Sequence, residues 1–264
     1  MAITTLDGYI AAAKQRLIWR KLTSRTGVAA YWESVFDIAG LPGAGVLNVG
    51  NTANGLVHTD ATAGYPTINS FGGTIGYVSG VEFGSTVAGW IEIYDRLFVA
   101  GAYAYNANTT LASQPSYSSR VPGGTDFSGL GIWFEAVTAF TLNPAVTVTY
   151  TDQDGNTGAT TGAYSAGYAP ILGRCFPLPL ATGDTGVQKI ESVLCATASA
   201  GTFNLMVLRP IWAGRCIIAN GGDKHDLLRT GMVKIFDDSA LYVMIAADST
   251  ATGIPDVIIE VANG

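Results

Sequence analysis

The stretch NPAVTVTYTDQDGNTGATTG, Asn143 to Gly162, decides the fold. Val146, Val148 and Tyr150 alternate with Thr147 and Thr149, the period of two that puts one apolar and one polar face on a strand. DQDGNTG then supplies turn residues, and the chain from Thr157 onward can return as the second arm of a hairpin. Asp152, Asp154 and Asn156 alternate as calcium ligands do. A calcium loop, however, needs glycine at its sixth position and glutamate at its twelfth, and these are Thr157 and Ala163. The hairpin explains the residues.

Outward from this hairpin the same pattern recurs. GTFNLMVLRPIW places Phe203, Leu205 and Val207 on one face, with Pro210 marking a strand end or edge. ALYVMIAAD and PDVIIEVANG are apolar on both faces, as central or interface strands are. VEFGSTVAGWIEIYDRLF reads as two further strands around Gly84 and Ser85. AGWIEIYDRLF (88 to 98) and AGTFNLMVLRPIW (200 to 212) echo one another but align only with a one-residue shift, so no duplication is claimed. Among 264 residues, 33 are glycine, placed without period, which suits many short strands joined by tight turns. The expected fold is all-β: an antiparallel β-sandwich or jelly roll, with a short N-terminal helix and long loops.

The N-terminal region differs. TTLDGYIAAAKQRLIW offers Thr4 or Thr5 as N-cap and Asp7 in the first turn, and reads as a helix. Beyond it, RLIWRKLTSRTGVAAYWESVF fits helix or strand equally. Residues 1–30 are therefore set apart as a basic N-terminal helix or arm, and 31–264 as the sandwich body, including a long loop at 40–75. That loop is rich in Gly, Asn, Thr and Pro, and its length implies a task, of which reaching a neighbouring subunit is one.

Charged residues are only 13% of the chain, about half the usual share, beside 48% hydrophobic ones. A surface so poor in charge is expected to be partly covered by other subunits. The net charge is −6, yet Lys14, Arg16, Arg20, Lys21 and Arg25 face a single acid, Asp7, within the first 25 residues. These five are the candidate partner-binding residues, suited to an acidic partner surface. The acidic remainder argues against direct nucleic-acid binding. Cys175, Cys195 and Cys216 form no CxxC pair and read as free thiols, so no local zinc or redox motif arises. No secretory signal pattern or membrane-length apolar run appears, and no membrane role is expected.

Catalytic candidates are sparse. GDKHDLLRTG, Gly222 to Gly231, sets His225 beside Asp223 and Asp226, but no G-x-S-x-G elbow accompanies it. Asp223 or Asp226 capping one helical turn closed by Gly231 is the better reading. No P-loop or dinucleotide fingerprint occurs, and two histidines leave little material for a metal. No catalytic residue, cofactor or metal site is assigned. The carboxylates Glu82, Glu92, Asp95, Glu135, Asp237 and Asp238 are scattered. Trp90, Trp133, Tyr94 and Tyr103 would suit a sugar-binding face, although aromatics on strands are more often core.

GYIAAAKQRLIWRK, NTANGLVHTDATAGYPTINSFGG, EFGSTVAGWIEIYDRLF, SQPSYSSRVPGGTDFSGL, GDKHDLLRTGM and DSALYVMIAADST together resemble a family of virion structural proteins from tailed bacteriophages. The likeness runs nearly end to end and contains no catalytic motif. It implies a non-enzymatic capsid decoration (cement) protein, made in the host cytoplasm and placed on the capsid surface. Its implied partners are the major capsid protein lattice and other copies of itself, as a jelly-roll trimer. A carbohydrate- or receptor-binding module, or a neck or tail component, is the alternative.

Overall fold

The computed structural model describes residues 3–72, 75–105, 108–195 and 200–264. Among these, two short α-helices, two single-turn 3-10 helices (Ser118–Arg120 and Pro122–Gly124) and eighteen strands follow one another. Helix α1 (Leu6–Ala11) leads into β1 (Lys14–Lys21), β2 (Trp32–Ser34), β3 (Gly40–Leu41) and β4 (Asn51–Leu56). Next come β5 (Gly76–Ser85), the long β6 (Gly89–Ala104), β7 (Thr109–Thr110), β8 (Gly131–Ala136) and β9 (Ala145–Asp152). Then follow β10 (Ala159–Thr160), β11 (Tyr164–Ser165), β12 (Cys175–Leu178), β13 (Val187–Cys195) and the long β14 (Thr202–Cys216). The chain closes with β15 (Gly221–His225), α2 (Leu227–Thr230), β16 (Lys234–Ile235), β17 (Leu241–Ala247) and β18 (Pro255–Asn263).

The strands form three sheets, and every ladder is antiparallel. The six-stranded sheet runs β15-β5-β18-β1-β3, with β16 also on β5. The seven-stranded sheet runs β12-β8-β14-β6-β17-β2, with β4 on β6. The five-stranded sheet runs β10-β9-β13-β7, with β11 on β9. The expected all-β sandwich is therefore present, in a doubled form. One face of the seven-stranded sheet carries two cores side by side. At one end Ile91, Ile93, Leu241, Val243 and Ile245 meet Trp19, Val81, Phe83, Val257 and Ile259 of the six-stranded sheet. At the other, Phe98, Phe134, Phe203 and Leu205 meet Val146, Val148, Tyr150, Ile190 and Val193 of the five-stranded sheet.

β6 and β14 are long enough to serve both cores, and their ladder shifts register three times. At the shift between Val207 and Leu208 the partners pass from Phe98 to Arg96, so Leu97 and Phe98 are both free to enter the core. Of the two readings of Pro210, strand end or edge, the structure has the edge: β14 continues to Cys216, but β8 pairs it only as far as Leu208. Pro210 is exposed and sits at another shift, between Pro210 and Trp212, where a missing N–H is tolerated. The decisive hairpin forms as read: Tyr150 pairs Ala159, and Thr149 pairs Thr160. Asp152 closes its turn by accepting from the amides of Asp154 and Asn156, at 2.8 and 2.9 Å, and from Asn156 Nδ2 at 2.8 Å.

The helix expected through Trp19 stops at Ala11. Thr5 does cap it, accepting from the Gly8 amide at 3.0 Å, but α1 buries none of its residues. A single unsupported turn and a half has little stability of its own. Lys14 closes it by donating to the carbonyls of Tyr9, Ile10 and Ala12. From there alternation takes over, with Leu17, Trp19 and Lys21 inward and Arg16, Ile18 and Arg20 outward. β1 thus lies inside the six-stranded sheet, between β18 and β3.

The excursion at 40–75, of which residues 73 and 74 lie outside the described residues, folds back over its own chain. Leu47 and Tyr65, with Phe36, cover the second face of the seven-stranded sheet against Val99, Met206, Tyr242 and Met244. Leu41 and Val46 remain exposed on it.

Candidate interaction surface

The five basic residues divide by the pleat of β1 and the chain that follows. Lys21 is 1% exposed; its ammonium lies 4.5 Å over the Trp19 ring and donates to the carbonyls of Phe36, Pro42 and Gly43 at 3.2–3.4 Å. Burial lowers its pKa to about 8. Arg25 is also drawn in, bonding Asp37, the Ser34 carbonyl at 2.8 Å and the Leu172 carbonyl. Lys14 is held at the end of α1. Only Arg16 and Arg20 stand on the outer face of the six-stranded sheet.

On that face the register builds a checkerboard. Arg20, Asp256, Gly84 and Gly222 form one row; Ile18, Ile258, Glu82 and Lys224 the next; Arg16, Glu260 and Gly80 the third. Arg20 Nη2 lies 2.6 Å from Asp256, and Lys224 Nζ lies 2.9 Å from Glu82 and 3.5 Å from Glu260. Arg16 reaches Glu82 at 3.4 Å and Glu260 at 4.0 Å. The Lys224 hydrogen bond holds the Glu82 carboxyl below its ordinary pKa, and the Asp256 hydrogen bond raises that of Arg20. Exposed pairs of this kind add little to a fold because water screens them, so exchanging them for a partner's charges costs little.

Glycine supplies the floor. Gly84 and Gly222 leave a trough of about 410 Å³ bounded by Glu82, Lys224, Asp256 and Ile258. A second depression of about 480 Å³ continues past Arg20 and Leu22. A Cβ on Gly84 would meet the Gly221 carbonyl oxygen at 2.8 Å, so the floor tolerates no side chain without movement. Beside the trough, the turn between β14 and β15 presents Ile217 and Ile218, 81% and 71% exposed, and Leu22 stands 66% exposed. Ile217 and Ile218 are not among the residues expected from sequence; their signal is CIIANGGD, two adjacent branched apolar residues running into a turn, where burial has no use for both.

His225 is structural. It ends β15, accepts at Nδ1 from Trp212 Nε1 at 3.0 Å, and packs edge-on against Phe83. Asp226 caps α2, accepting from the Leu228 and Arg229 amides, and Gly231 closes the turn at φ 63°. The remaining polar cluster is sealed. Glu135 accepts from Arg96 at 3.0 Å, Tyr242 at 2.6 Å and Asn204 at 2.9 Å, all 0% exposed. Burial with nearby Arg96 and Arg120 lowers the His58 pKa to about 3, and burial raises that of Tyr65 to about 12. Glu135, Arg96, Tyr242, Asn204, His58 and Tyr65 are all buried. Among the described residues, no group of His, Cys, Asp and Glu is arranged to hold a metal, and no helix is long and apolar enough to cross a membrane. The three cysteines are free, Cys175 and Cys216 buried.

No family model and no curated protein matches the chain. Among solved structures, the infectious bursal disease virus Gx strain matches with 10% identity and a TM-score of 0.19, over 96% of this chain and 80% of that one. The VP2 subviral particle of the same virus gives 10% identity and a TM-score of 0.19, over 95% and 80%. Overlap at that level establishes no shared fold.

Proposed function

We propose that this chain is a non-enzymatic structural component of a tailed-phage virion. It decorates and stabilises the capsid shell by docking the outer face of its six-stranded sheet on the major capsid protein lattice, as an oligomer. The observation that carries this reading is that face itself: paired charges of both signs over a glycine floor, rimmed by Ile217, Ile218 and Leu22. The sequence resemblance to phage virion proteins supports the choice of partner. An extended face of paired charges with exposed apolar residues at its rim suits protein contact.

Such a protein works by mass action: sites that exist only in the assembled lattice are filled, and every filled site raises the free energy of shell opening. Arg16 and Arg20 make the partner contacts, while Lys14, Lys21 and Arg25 hold the N-terminal segment in the shape that presents them. The test is co-sedimentation of the purified protein with expanded phage heads lacking it. Saturation at several hundred copies per head is expected on this reading. A dozen copies would instead indicate a neck, vertex or tail position. An Arg16→Glu, Arg20→Glu double variant is expected to weaken binding and flatten its salt dependence; unchanged affinity in that variant removes this face from the contact.

A further inference from the structure

On the second face of the seven-stranded sheet, the loop at 40–75 covers one end and leaves the other open. Trp90 lies there, 44% exposed, because the alternation that sends Ile91 and Ile93 into the core turns it outward. The register places Trp32, Ala246, Trp90 and Arg215 in one row across four strands. Ala246 between the two indoles keeps the row low, and the Trp rings stand on strands two apart, about 10 Å at the usual strand spacing. Arg215 lies with its guanidinium carbon 5.8 Å from the centre of the Trp90 ring, and is paired with Asp248 at 3.1 Å. One row deeper is Glu92, half-buried, accepting a hydrogen bond from Tyr94.

From this arrangement we infer that the open end of the sheet, centred on Trp90, binds a neutral sugar. The chemistry of the row selects the class. A pyranose ring offers a flat C–H face and a rim of hydroxyls. An exposed indole takes the C–H face, Arg215 donates to hydroxyl oxygens, and the carboxylates of Asp248 and Glu92 accept from hydroxyl protons. Arg215 and Asp248 neutralise one another, and Glu92 already accepts from Tyr94, so the row offers no unpaired cation to an acidic ligand. A protein partner is the poorer fit. One tryptophan face is a small apolar area beside the roughly 800 Å² each partner buries in a stable complex. Tyr94 and Trp133, also on this face, are each 8% exposed and pack on one another at 5.4 Å, so they support the site without lining it.

The six-stranded sheet packs against the opposite face of the same strands, so a docked molecule keeps Trp90 pointing away from its docking surface. The inference does not rest on docking. It is tested on the isolated protein, so failure of either proposal leaves the other standing.

The experiment is a panel of immobilised neutral and acidic oligosaccharides, followed by solution titration of the best-bound neutral one, read by tryptophan emission. Binding to neutral members is expected, weakened about tenfold or more by Trp90→Ala. Arg215→Ala, a change at an exposed side chain, gives a second reading should Trp90→Ala fold poorly, and is expected to weaken binding as well. No binding to the panel, binding to acidic members alone, or binding that neither variant weakens would each overturn the assignment.

Discussion

Lys21 shows how burial turns a charge from a contact into a constraint. Its ammonium is enclosed by three carbonyls and an indole, and its pKa falls to about 8 from an ordinary 10.5. The folded chain therefore sheds this proton before the unfolded chain does. Between pH 8 and 10.5 the unfolded state binds more protons, so stability rises with pH; below pH 8 the whole penalty is present, about 3 kcal/mol. Urea unfolding of the native protein between pH 7 and 9.5 is expected to show this rise, and Lys21→Met to lack it. A parallel pH profile in both proteins would show that the ammonium is not desolvated. Composition alone made Lys21 and Arg25 resemble Arg16 and Arg20. The distinction lay in the alternation of RLIWRK, in which Lys21 shares the parity of Leu17 and Trp19, and it becomes decisive only once the segment is known to be a strand.

At the scale of elements, β1 and the 40–75 excursion are where local reading and structure part. A run of alanines with a good N-cap predicts a helix, but α1 has no face to bury, whereas β1 gains a ladder on β18 from Lys14↔Ala262 to Arg20↔Asp256. Pairing over more than 200 residues of sequence leaves no local mark. The excursion has composition typical of a loop, yet packs like a core layer. Gly64 shows how tightly: it holds φ +101°, and a Cβ there would stand 2.5 Å from the Phe36 ring and 2.6 Å from Gly45 Cα. Gly64→Ala is expected to cost about 2 kcal/mol or more, through backbone strain and overpacking together, measured as a shift in the urea midpoint. A neutral result would mean that the cover sits loosely. The hairpin at 145–160, β17 and β18 were legible because their contacts are local or their apolar runs unambiguous.

Over the whole molecule, two cores share one sheet, and Asp95 sits between them. It accepts from Arg209 at 3.1 Å, Ser239 at 2.7 Å and the Ala240 amide at 2.9 Å, with Arg120 at 3.3 Å. Arg120 also donates to the carbonyls of Arg96 and Leu97, and Arg209 to that of Lys234. Removing the carboxylate strands two buried guanidinium groups, so Asp95→Ala is expected to lose about 3–5 kcal/mol. Because the tie crosses from one core to the other, the loss should also separate their unfolding. Trp19 and Trp212 belong to the core under the six-stranded sheet, so tryptophan emission should fall before far-ultraviolet circular dichroism, or after it. Coincident transitions would show that the shared sheet alone couples the cores. Of this architecture, sequence showed the strand class but not the doubling, since nothing in WIEIYDRLFVAGAYA marks where a strand leaves one core for the next. That continuity has a mechanical consequence. Tension along β6 and β14 loads their ladder in shear, with many hydrogen bonds resisting at once instead of opening singly from one end. A molecule strained by an expanding surface along that axis would act as a stiff strut, and one strained across it would yield far sooner.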